Sequence, residues 1–192
     1  MKKGNMILVF LLALWLWPLS SHAQGPGKAI SVDVFLPLMS PVSFLYGETM
    51  YFVPLNIKYQ QVIADHLVLM LKGGLNYSWD KRNTSDRSVD VYPLAGVDWH
   101  PFHAGLEGFY AGLSGFFNYS AHYYNTRVDY RNYRTALGCT LGWQFLLRSG
   151  IIIDLTFGLG YGYNVDVDSK GAKKTGYSVD ETIAGVFVGF CF

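Results

Sequence analysis

The sequence predicts an all-β fold: an eight-stranded antiparallel transmembrane β-barrel with both termini periplasmic. Three observations predict it. Between residues 67 and 79 one parity reads Leu67, Leu69, Leu71, Gly73, Leu75, Tyr77, Trp79, and the other Val68, Met70, Lys72, Gly74, Asn76, Ser78. Successive side chains of a strand face opposite ways, so an apolar, aromatic-tipped face opposite a mixed polar one asks for an apolar medium outside the sheet. Such stretches recur about eight times, and beyond residue 23 no apolar run approaches the roughly 20 residues of a spanning helix. Hydrophobic residues make up 51% of the chain and charged ones 15%. Alternating strands without helices cannot bury that much apolar surface in a soluble core.

The elements follow in order. Residues 1–23 form a signal peptide that is removed: Lys2 and Lys3 precede an apolar run from Met6 to Trp17, and Ser21-His22-Ala23 is a small-residue cleavage site. Residues 24–192 are the outer-membrane β-barrel domain, starting at Gln24 with the short leader Gly25-Pro26-Gly27. The strands are expected at 29–38, 51–60, 67–79, 89–99, 109–120, 133–145, 151–164 and 182–192, each with period-two alternation. Outward residues include Ile30 and Val32 on the first, Leu155 and Phe157 on the seventh, and Val186, Val188, Phe190 and Phe192 on the last. Connectors at 61–66, 100–108 and 146–150 are short. Those at 39–50, 80–88, 121–132 and 165–181 are longer or more polar, which matches periplasmic turns against external loops. Pro37, Pro54 and Pro93 each remove a ladder donor, so local pairing there is expected to suffer.

Composition narrows function further. Without Lys2 and Lys3 the chain has 13 basic and 14 acidic residues, a balance that gives no support to nucleic-acid binding. Two cysteines, Cys139 and Cys191, are too few for a disulfide scaffold, and they fall on opposite faces.

The chain resembles the small eight-stranded outer-membrane proteins of the OmpW, OmpX and OmpA-barrel group. The resemblance is carried by Phe192, by Gly108-Phe109-Tyr110-Ala111-Gly112-Leu113, by Gly142-Trp143-Gln144 and by Gly158-Leu159-Gly160-Tyr161. It implies location in the cell outer membrane, with outer-membrane lipid as surroundings. It also implies that Phe192 is part of the signal read by the outer-membrane assembly machinery.

Eight strands leave an interior filled by side chains or wide enough for one small ligand, which excludes a wide aqueous pore. The inward parity toward the periplasm holds Asp33, Lys58, Lys72, Asp98, Gln144 and Asp154. Charges enclosed there must pair, so the expectation is an ionic network that plugs the interior; a gated ion path is the alternative. Farther out, Phe35, Phe52, Tyr92, Leu94 and Phe116 on one wall face Gly138, Gly158, Gly160, Gly162 and Gly185 on the other. Either large and small residues interdigitate, or they leave an apolar slot that binds a ligand. The resemblance to OmpW-like barrels implies small apolar molecules as the guests.

Other motifs carry less. Gly158-Leu-Gly-Tyr-Gly lacks the following helix of a dinucleotide site, and no cofactor is expected. His100 and His103 read as solvated turn histidines, without a third ligand for a metal. Ser120, His122 and Asp90 are the nearest approach to a lipid-modifying enzyme. The two-residue separation of Ser120 and His122 on a strand opposes contact, so no catalytic residues are assigned. Charged loops such as 80–87, and Lys170, Lys173 and Lys174, suit anionic lipid head groups or host surface molecules. The sequence thus points to a barrel that binds or passes small hydrophobic molecules. The alternative is a structural or surface-interaction barrel, an adhesin working through its loops.

Overall fold

The computed structural model describes residues 27–34, 50–80, 85–125, 127–180 and 185–192. Among the described residues there are nine strands: β1 (Lys28–Asp33), β2 (Met50–Ala64), β3 (Leu67–Asp80), β4 (Asp86–Trp99), β5 (Gly108–Tyr124), β6 (Arg127–Leu146), β7 (Ile151–Asp168), β8 (Lys173–Asp180) and β9 (Gly185–Cys191). All pair antiparallel. Neighbours in sequence pair from β1 through β7, while β8 and β9 share one edge of β7 and β9 returns to β1. The result is a ring of eight strand positions with β8 and β9 together filling the last.

The ring is sheared. From Ile30 the ladder runs through Tyr59, Leu71, Ala95, Gly115 and Leu137 to Tyr161 in one direction, and through Phe190 to Ile151 in the other. The two routes reach β7 ten residues apart, the stagger that tilts strands against the axis of a closed sheet. Burial follows parity around the ring. On β6, Leu137 is 76% exposed and Leu141, Trp143 and Phe145 are exposed, while Ala136, Gly138, Thr140 and Gln144 are buried between them. The interior is therefore as narrow as the strand count requires.

The lower end of the ring carries β1, β9 and the connections around 65–66, 100–107 and 147–150. There Ala29, Val62, Val68, Leu106 and Ile152 form a buried apolar floor with Cys191 packed against it. Cys139 is exposed on the outer face and neither cysteine is bonded. His100 corrects the expectation of two solvated turn histidines: it is fully buried in this floor, stacked on Tyr110 at 5.3 Å, and only His103 is exposed. Burial pushes His100 below the ordinary histidine pKa, so its ring serves as neutral packing.

The upper end differs from the expected long loops. β5 and β6 continue to Tyr124 and Arg127, and β7 and β8 continue to Asp168 and Lys173, so the segments expected as loops at 121–132 and 165–181 are mostly strand. Hydrophobic alternation marks how far apolar surroundings reach, whereas ladder pairing continues wherever backbone groups find partners. The expected eighth strand is also divided: β8 points Tyr177 and Val179 outward, whereas β9 points Val186, Val188 and Phe190 outward, so the outward parity changes between them. The connector at 39–50 lies, apart from Met50, outside the described residues, as does Pro37.

Candidate functional site in the ring interior

The inward parity stacks three layers on the apolar floor. The lowest is ionic. Lys58 on β2 reaches across to Asp154 on β7 at 2.6 Å, and both side chains are almost completely buried. Asp154 accepts three further hydrogen bonds, from the Tyr110 hydroxyl at 2.8 Å, the Gln144 amide at 2.9 Å and the Thr156 hydroxyl at 3.0 Å. Gln144 also donates to Gln60 at 2.8 Å. Nearby, Asn56 donates to Asp33 at 3.0 Å, and the Lys72 ammonium lies 4.8 Å from the Phe187 ring centre. Gly112 is what admits Asp98 and Thr140, because a β-carbon there would strike both side chains. All six residues expected in this layer face inward. Parity alone did not single out Tyr110, Gln60, Thr156 or Phe187, although each occupies the inward parity of its strand.

This layer is closed. The cavity bounded by Lys58, Met70, Asp98, Tyr110, Thr140 and Phe187 holds about 10 Å³, at or below what one water molecule requires.

The middle layer is apolar and thin-walled. Leu94 on β4 and Phe116 on β5 are paired across the ladder, with Leu94 buried. Gly138, Gly158, Gly160 and Gly162 are buried on β6 and β7, with Gly138 and Gly160 directly opposite one another. Tyr92 is partly committed elsewhere: its ring covers Gly74 and its hydroxyl bonds to Asn56. Gly185 lies against Phe187 in the same large-on-small manner. Phe35 and the side chain of Phe52 lie outside the described residues.

Above this the interior turns polar. Ser78 and Ser88 share a hydrogen bond at 2.6 Å, Ser120 donates to Asp90, and His122 meets Asp86 at 2.6 Å. Asn164 and Arg134 both donate to Ser178, at 2.7 and 3.1 Å. The Ser120 and His122 side chains thus bond to separate carboxylates, an arrangement that does not join a nucleophile to a base. Among the described residues no three metal-ligating side chains converge.

The wall beside the middle layer is interrupted. The β4–β5 ladder runs from Asp86↔Tyr124 to Trp99↔Ala111 but has no pair at Tyr92 or Pro93. Proline has no amide hydrogen to donate, which accounts for the break. A groove of about 660 Å³ lies there, lined by outward Gly73, Pro93, Ala95 and Phe117 and by inward Leu94 and Phe116. Gly73 leaves it open, since a β-carbon at that position would meet nothing within 4 Å.

Outside, two aromatic bands girdle the ring. On β5 and β6 the lower band contains Phe109 and Trp143, 6.4 Å apart, and the upper band Tyr119 and Tyr133, 5.2 Å apart. Trp99 and Phe145 sit beside the lower pair; Trp79, Tyr161, Tyr163 and Tyr177 belong to the upper level.

An all-β ring with a narrow interior and an apolar outer surface has the fold of the outer-membrane β-barrel proteins. Among solved structures it is similar to the outer membrane protein OprG from Pseudomonas aeruginosa, with a TM-score of 0.50 over 88% of this chain and 98% of that one. The two sequences share 11% identity, so the likeness is one of fold. No family profile matches the chain, and no curated protein matches it.

Proposed function

We propose that this chain is an integral outer-membrane barrel that binds small, mainly apolar molecules at mid-height and exchanges them with the surrounding bilayer through the wall between β4 and β5. Insertion is supported by the aromatic bands. On β5 and β6 they are ten residues apart, Phe109 to Tyr119 and Trp143 to Tyr133. At about 3.3 Å per residue and a tilt near 40° that spans about 25 Å, the height of the apolar band in such barrels. After removal of residues 1–23 the tryptophans are Trp79, Trp99 and Trp143, all of them in the bands. Their fluorescence is expected to be quenched more by lipids brominated near the glycerol than by lipids brominated at the chain ends. The opposite order places them mid-bilayer and removes the insertion reading.

The observation that carries the transport reading is the ladder break at Pro93 beside an apolar groove lined by both parities. The ionic layer closes the route downward, and the polar layer above makes the side wall the more favourable route for an apolar guest. Pro93→Val restores the missing donor, and Gly160→Phe fills the glycine wall. Each is expected to lower release of an apolar fluorescent probe from proteoliposomes several-fold, with heat-shifted gel migration reporting an intact fold. Unchanged release by both folded variants argues against the slot.

A second reading has its own support. Tyr92 over Gly74, Tyr110 over Gly142 and Phe187 against Gly185 are the contacts of a filled interior. On that reading the barrel is a surface-interaction protein. Shortening its upper hairpins would then abolish adhesion, while no probe release occurs in the first place.

A further inference from the structure

Above the upper aromatic band the two faces of the sheet carry opposite charge. Inward positions hold Asp80, Asp86, Asp90 and Asp166, accompanied by His122, Arg134 and Lys174. Outward positions hold Arg87 on β4, Arg131 on β6 and Lys173 on β8, and among the described residues one acid of that parity stands at that height, the exposed Asp129, which lies at the register shift between β5 and β6. They recur on every second strand, so neighbouring bases stand about 10 Å apart laterally at about 4.8 Å per strand. Arg131 and Lys173 flank Val167 in one ladder row. Arg87 pairs with Trp79 on one side and Tyr123 on the other, and it lines a groove of about 270 Å³ with Tyr77, Val89 and Tyr123. None of the three has an ion-pair partner among the described residues.

Bases at this height have a specific environment if the bands mark the hydrocarbon boundary. Their stems lie along apolar and aromatic surface while their heads reach the head-group layer. A guanidinium binds phosphate with two parallel hydrogen bonds, and the adjoining tyrosines exclude water from one side. Of the acids at this height, Asp80, Asp86, Asp90 and Asp166 are turned inward by the period of two, and Asp129 makes no ion pair with the three bases. We infer that Arg87, Arg131 and Lys173 form a docking belt for the phosphates of a phosphorylated glycolipid in the outer leaflet, with acyl chains lying along Val89 and the tyrosines. This rests on the membrane-spanning reading above. The charge pattern favours a multiply phosphorylated head group over a single phosphodiester, because the bases are spaced apart rather than clustered.

The test uses the refolded mature chain in nanodiscs containing bisphosphorylated lipid A, the same lipid with its phosphates removed, or phosphatidylglycerol, with retained lipid read by native mass spectrometry. Wild-type protein is expected to retain lipid A at least about tenfold over the dephosphorylated form, the loss expected from one charge-assisted bond or more. The triple variant Arg87→Gln, Arg131→Gln, Lys173→Gln is expected to lose that preference. Its insertion is verified independently by heat-shifted migration, and Asp86→Asn on the inward face is expected to leave retention unchanged. Equal retention of lipid A with and without phosphates overturns the belt, as does equal retention of phosphatidylglycerol or an unaffected triple variant that inserts. Failure of the wild type to insert at all overturns the membrane-spanning reading instead.

Discussion

Replacing Lys58 with methionine is expected to destabilise the folded ring by about 3–5 kcal/mol, the cost of leaving one member of a buried ion pair uncompensated. The geometry makes this severe. Lys58 and Asp154 are 3% and 0% exposed and 2.6 Å apart, and the surrounding layer has no room for water to take the place of the ammonium. Adding Asp154→Leu removes the stranded charge and is expected to recover part of the loss. It cannot recover all of it, because Tyr110, Gln144 and Thr156 then lose the acceptor they share. Each unsatisfied donor costs about 1–3 kcal/mol. Equilibrium unfolding in urea with lipid vesicles, run on both single variants and the double, supplies the cycle that isolates the pair. If Lys58→Met unfolds with the wild type, the pair is not enclosed as described.

This hub was only half legible in the sequence. Alternation assigned Asp33, Lys58, Lys72, Asp98, Gln144 and Asp154 to the inside, and the structure places them there. Which of them meet depends on the shear of the ring, since Lys58 and Asp154 are 96 residues apart and sit on opposite walls. Tyr110 is less visible still: within Phe109-Tyr110-Ala111 it resembles one more band aromatic, and only its inward parity distinguishes it. The upper strand ends were illegible for a different reason. Where both faces meet water, as in Arg131-Asn132-Tyr133-Arg134 or Lys173-Lys174-Thr175-Gly176, a paired strand has no apolar stripe to betray it. Pro93, by contrast, signalled its effect directly. The missing donor implies disturbed local pairing, and the β4–β5 ladder is interrupted at that residue, whereas Pro54, read in the same way, stays in register opposite Asn76.

Gly189→Val is expected to prevent closure of the ring. Gly189 on β9 pairs with Ser31 on β1, at the seam where the last strand meets the first. A β-carbon at this position would collide with the carbonyl oxygen of Ile30 and with both the backbone and side chain of Ser31. A backbone oxygen cannot rotate away as a side chain does, so relief requires the two strands to separate. Such overpacking costs about 3 kcal/mol or more when backbone must move. The consequence exceeds that figure because this seam joins β9 to β1, and opening it exposes a row of unpaired amides on each strand. In lipid those groups have no water to bond to, which makes the open form untenable there. The variant is expected to migrate on gels at the same position with and without heating and to be digested by protease in vesicles where the wild type is protected. Gly176→Val supplies the comparison, since a β-carbon there meets nothing within 4 Å, and it should fold and resist protease as the wild type does. Should Gly189→Val insert and show heat-shifted migration like its parent, the β1–β9 register would be in error, and the stagger of the whole ring with it.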